Sequence, residues 1–98
     1  MTKDKVLEVL ETYRIRFREL QIPQIRADHD VLLDPTQEGD RLIALAHCHG
    51  MLDEMVEFAR ASRMEKVFRW LGFVQGCFWS GGIYTINQEK SHNRPDPE

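Results

Sequence analysis

A chain of 98 residues, 42% of them hydrophobic, has material for one core and not for two, so a single domain is expected. The formal charge of −3 argues against a dedicated binder of nucleic acid or of anionic membranes, whose affinity draws on clustered positive charge. No apolar run approaches the roughly 18 residues that cross a bilayer, and Met1 leads into charged residues rather than a signal-peptide core, which points to the cytoplasm.

The first element is predicted over residues 2–20, where Val6, Leu10, Tyr13, Phe17 and Leu20 recur at spacings of three and four along one helical face. Pro23 ends it. Residues 21–34 have no sustained period and read as a connector that tucks Ile22, Ile25 and Leu32 against the body. A second helix is predicted over 35–61, with Asp34 as cap and Pro35 at the first helical position, although Gly39 also permits a later start with Asp40 in the first turn. Its core line holds Leu42, Leu45, His49, Leu52, Val56 and Ala59.

Ser62-Arg63-Met64-Glu65 matches a capping box, so a third helix is predicted over 63–80, joined to the second by a turn short enough to make an antiparallel hairpin. Gly81-Gly82 stops it. A second capping-box match at Thr85-Ile86-Asn87-Gln88 opens a short helix over 85–92, and the tail 93–98, with two prolines and no core residue, reads as mobile. The expected fold is all-α: a small bundle with a long N-terminal helix, an antiparallel helix hairpin and a short C-terminal helix. Its core centres on Leu45, His49, Leu52, Val56, Leu71, Val74 and Phe78.

The string His47-Cys48-His49-Gly50 invites a metal reading, since histidine and cysteine are common zinc ligands. Two residues apart on a helix, His47 and His49 differ by roughly 200° in direction and do not readily share one ion. His47 falls on the polar stripe with Asp40, Glu54 and Glu57, and His49 reads as a buried, hydrogen-bonded imidazole. Cys48 and Cys77 read as small buried hydrophobes. Neither a metal nor a cofactor is expected.

Asp53, Glu54 and Glu57 resemble half of the Mg²⁺-binding carboxylate pattern of the all-α nucleotide pyrophosphohydrolases of the MazG type. The other half is missing, because the third helix offers only Glu65 near its start, and a solvated helix face is the plainer account of these acids. Arg60, Arg63, Lys66 and Arg69 gather around the hairpin turn. Arg60 suits a helix C-terminus, whereas Lys66 and Arg69 sit where the helix dipole does not favour them, so a patch for an anion or an acidic partner is a rival reading.

On the third helix, Val67, Leu71, Val74 and Phe78 form a core face, with Trp70 and Cys77 beside it. Gly72, Gly76 and Ser80 form a second stripe, flanked by Phe73 and Trp79. Each glycine inside a soluble helix costs about 1 kcal/mol relative to alanine, so the pair calls for a helix approaching closely. That helix is either the first helix of the same chain or the third helix of a second subunit. Small domains gain core by association, so the expected function is a non-enzymatic interaction module, a homodimer or a binder of another protein, acting through Arg69, Gly72, Phe73, Gly76, Trp79 and Ser80.

The segment from Glu65 to Pro95 resembles small helical proteins of unknown function encoded by tailed phages and prophages. Arg69-Trp70-Leu71-Gly72-Phe73, Gln75-Gly76, Trp79, Gly82, Thr85-Ile86 and His92-Asn93-Arg94-Pro95 carry the resemblance. It covers about a third of the chain. It implies an accessory or regulatory role in an infected bacterial cytoplasm, with a host or phage protein as partner, and it implies no reaction. Asn87 stands where that pattern has an acidic residue, which puts any charge-dependent role of the turn in doubt.

Overall fold

The computed structural model describes residues 1–95 and contains four α-helices: α1 (Lys3–Glu19), α2 (Glu38–Arg60), α3 (Met64–Ser80) and α4 (Ile86–Asn93). The chain is an all-α bundle, with no strand among the described residues. α2 is the central helix and packs on both α1 and α3, while α4 folds back onto α1. The core joins Leu10, Tyr13 and Phe17 of α1, Leu52 and Met55 of α2, and Val67, Val74 and Phe78 of α3, each of them wholly buried. Tyr13 meets Phe78 edge to face with ring centroids 4.6 Å apart, a geometry that ties α1 to α3 across the bundle.

All three long helices end in the same reversal. After α1 the amide of Ile22 donates to the Phe17 carbonyl and that of Gln21 to Arg18. Arg63 and Ser62 repeat the pattern on Phe58 and Ala59, and Ile83 and Gly82 repeat it on Phe78 and Trp79. These paired bonds are the Schellman closure, which needs one left-handed residue, here Gln21 at φ 57°, Ser62 at φ 61° and Gly82 at φ 77°. Only the last is a glycine.

That closure explains one departure from expectation. Ser62 does not cap α3, because its backbone is already committed to ending α2; its hydroxyl instead accepts from Lys3 Nζ at 2.8 Å. The cap position of α3 is Arg63, which makes no side-chain cap bond. The second capping box does form: Thr85 Oγ1 accepts from the Gln88 amide, and the Gln88 side chain accepts in return from the Thr85 amide.

α2 begins at Glu38 rather than at residue 35. Asp34 spends its carboxylate on the amide and hydroxyl of Thr36, and its carbonyl accepts from Gln37, so Pro35 and Thr36 form a turn and not a first helical turn. Leu42, expected in the core, is half exposed. Leu45 lies level with Gly81, where α3 has ended, so a residue one turn earlier projects past its partner. Leu32, also expected inside, is 97% exposed. Bonds from the Asp30 and Val31 amides to Asp28 make a turn there and swing the following residues outward.

The C-terminal segment is better anchored than its composition predicts. Asn93 closes α4, and its amide side chain exchanges two hydrogen bonds with that of Gln75, at 2.7 and 3.1 Å. Gln75 also donates to the Tyr13 hydroxyl, which shares a hydrogen bond with His92 Nδ1, both at 2.9 Å. Residues 96–98 of the expected mobile tail lie outside the described residues.

Candidate functional site

α3 turns two unlike faces to its surroundings. Val67, Leu71, Val74 and Phe78 are buried against α2 and α1, which leaves the opposite side to Arg69, Gly72, Gly76 and Ser80. A Cβ placed on Gly72 or Gly76 would meet nothing within 4 Å, so no other helix approaches the stripe among the described residues. The intrachain explanation for the glycines therefore does not hold. Phe68, Phe73 and Trp79 stand along the stripe with 40%, 53% and 58% of their surface exposed. Ser80 turns its hydroxyl back to the Cys77 carbonyl. The result is a shallow track floored by backbone and edged by aromatic rings.

Beside this track, on the Phe73 side, lies a cavity of about 490 Å³ between α2, α3 and the connector. Ala44, His47 and Met51 of α2 form one wall and Arg69, Trp70 and Phe73 of α3 another. The third wall is the connector from Arg26 to Leu33, through Ala27, Asp28, His29 and Val31.

The connector wall is held by the short string that had invited a metal reading. His49, buried and stacked on Phe17 at 4.7 Å, donates from Nδ1 to the Ile22 carbonyl. Ile25 donates its amide to the Ala46 carbonyl, and the Ile25 carbonyl sits over Gly50, where any side chain would overlap it. His47 accepts the Ala27 amide on Nδ1 at 2.9 Å. His47, read from sequence as part of a polar stripe, is thus half-buried beneath the connector, because the connector crosses α2 on that side. Burial, reinforced by Arg26 and His29, holds its pKa below the ordinary histidine value.

No known family, curated protein or solved structure matches the chain.

The carboxylates that resembled a metal motif each face an arginine. Asp53 pairs with Arg14 at 2.7 Å, Glu54 with Arg26, and Glu57 with Arg60 at 3.3 Å. Among the described residues no group of three or more ligating side chains converges on one point. Glu65 stands in the first turn of α3, where a negative charge suits the helix dipole.

The basic cluster is likewise engaged. Arg63 lies 5.1 Å from the Phe58 ring centre and Lys66 4.4 Å from it, while Phe58 meets Trp70 edge to face. These cations rest on aromatic faces, an arrangement worth roughly 0.5–1 kcal/mol at exposed sites, and stiffen the hairpin turn. Arg69 differs: among the described residues it has neither an ion pair nor a hydrogen-bond partner. Cys48 and Cys77 are free thiols, and a hydrogen bond to Cys77 together with burial pushes Cys48 up and keeps it protonated.

Sequence reasoning missed the cavity and three residues that build it, Arg26, His29 and Gly50. One signal was present for Gly50: a glycine in the middle of the longest helix asks for a packing reason as strongly as Gly72 and Gly76 do.

Proposed function

We propose that this protein is a non-enzymatic interaction module that pairs with a second copy of itself through the outer face of α3. One observation carries the reading: Gly72 and Gly76 are open on a helix face whose neighbours Phe73 and Trp79 are more than half exposed. A helix bears the glycine penalty without return unless another backbone comes close.

A track with aromatic edges is complementary to itself. Two copies related by a twofold axis lay the rings of one helix beside the glycines of the other, and both gain buried apolar surface that a domain this small lacks. Arg69 and Ser80 then rim the contact. An accessory or regulatory role in a phage-infected cell is part of this proposal and is supported by the Arg69–Pro95 pattern alone. No helix among the described residues is long and apolar enough to cross a membrane.

The test is the solution mass by light scattering over a concentration series, for the wild type and for Gly76→Leu. A dimer that the substitution dissociates, with helicity retained by circular dichroism, supports the proposal. A wild type that stays monomeric at every concentration overturns it.

A further inference from the structure

We propose that the cavity between the connector and the helix hairpin is a binding site for a small aromatic carboxylate. Its volume of about 490 Å³ falls within the range of small-molecule sites, about 300–1,000 Å³, and its lining is mostly apolar with a few polar groups at the edge. Trp70, Phe73 and the imidazoles of His47 and His29 present ring surfaces, which suit a flat π-system better than a flexible chain.

Charge selects the head group. Arg26 is neutralised by Glu54, while Asp28 keeps its negative charge, with one oxygen accepting the Asp30 amide and no ion pair to Arg69 among the described residues. That leaves Arg69 as the cation of the lining with no partner among the described residues, and its planar guanidinium matches a carboxylate with two parallel hydrogen bonds. His47 adds a second donor. Because its Nδ1 accepts the Ala27 amide, the neutral ring carries its proton on Nε2, and Nε2 has no partner among the described residues. One guanidinium and one N–H at the edge of an aromatic box define an acid with an aryl body and a single negative charge.

The first part of the connector wall, Arg26 and Ala27, is preset. Three contacts with α2, at His49, Gly50 and His47, fix residues 22–27 before any ligand arrives, so this part of the wall needs no ordering on binding. The site adjoins the self-association track and shares Arg69 and Phe73 with it, but not Gly72, Gly76, Trp79 or Ser80.

Isothermal titration of the full chain with indole-3-acetate, and with the neutral isostere indole-3-acetamide, tests the assignment. Saturable binding of the acid, at least about tenfold tighter than the amide, is expected from one charge-assisted contact. Arg69→Gln should weaken the acid about tenfold and leave the amide unchanged, which removes the preference, and Ala44→Phe should abolish binding of both by filling the cavity. Gly76→Leu should leave the affinity intact, which keeps a failure of self-association distinguishable from a failure of this site. Absence of saturable binding, equal affinity for acid and amide, or an unchanged preference in Arg69→Gln would overturn the proposal.

Discussion

The carbonyl of Ile25 occupies the space above Gly50 where a side chain would begin. A connector without secondary structure thus lies against α2 at backbone distance, and the missing Cβ is what permits it. Gly50→Ala should lift the connector, breaking the Ile25 to Ala46 bond and the contacts of both histidines, at a loss of about 2–3 kcal/mol. Gly72→Ala, which meets nothing, should instead stabilise the monomer by about 0.5–1 kcal/mol. Urea denaturation at low protein concentration separates the two signs, and a harmless Gly50→Ala would refute the close approach.

Gln21 and Ser62 hold left-handed backbone that glycine adopts without strain. Gln21 is exposed and its side chain makes no hydrogen bond among the described residues, so Gln21→Gly is the cleaner test. It should raise stability by about 0.5–1 kcal/mol, or several degrees in Tm for a domain of this size. Ser62→Gly should gain less, because the bond from Lys3 is lost with the hydroxyl.

Stability should fall on mild acidification. His47 accepts the Ala27 amide on Nδ1, His92 shares a hydrogen bond with the Tyr13 hydroxyl, and burial depresses both pKa values below 6.5. The unfolded chain therefore binds these protons more readily, so their contribution is complete above about pH 6.5 and is lost as pH falls through the folded values. Equilibrium denaturation from pH 7.5 to 5 should show the decline, and His92→Gln should reduce its slope. A flat profile would contradict the depressed values.

Glu89 works in the other direction. It is buried, its Oε2 has no hydrogen-bond partner among the described residues, and burial raises its pKa. A carboxyl raised in the folded state favours folding at low pH and loses that contribution as it ionises, so at neutral pH its charge is a burden. Glu89→Gln should stabilise at pH 7, by roughly 0.5–1 kcal/mol, with the gain vanishing near pH 4. Thermal melts at the two pH values provide the comparison.

Much of the bundle was legible because helical period is a local signal. Val6, Leu10, Tyr13 and Phe17 announce the buried face of α1, and Val67, Leu71, Val74 and Phe78 that of α3. Local pattern failed where two demands met at one residue. Ser62-x-x-Glu65 and Thr85-x-x-Gln88 look alike, yet only the second caps a helix, since Ser62 is already needed to end α2. Leu42 fits the α2 period, but whether a periodic residue is covered depends on where the partner helix stops. The open glycine track was visible in sequence as an unexplained cost; that α1 does not cover it required knowing where α1 lies. The cavity left no local trace, because its walls come from three segments and its connector wall is fixed by contacts across the fold.

The connector divides in the middle. Residues 22–27 are fastened to α2, whereas Asp28 to Leu33 are exposed throughout, with Leu32 almost wholly in solvent. A protease that prefers aliphatic residues, such as thermolysin, meets its first accessible bonds there. The nick would leave the N-terminal piece with both its buried helix face and its fastening, and the C-terminal piece with the hairpin intact. The chain is thus laid out as two complementary fragments, held together after cutting by the buried face of α1 and by the fastening at Gly50 rather than by the peptide bond between them.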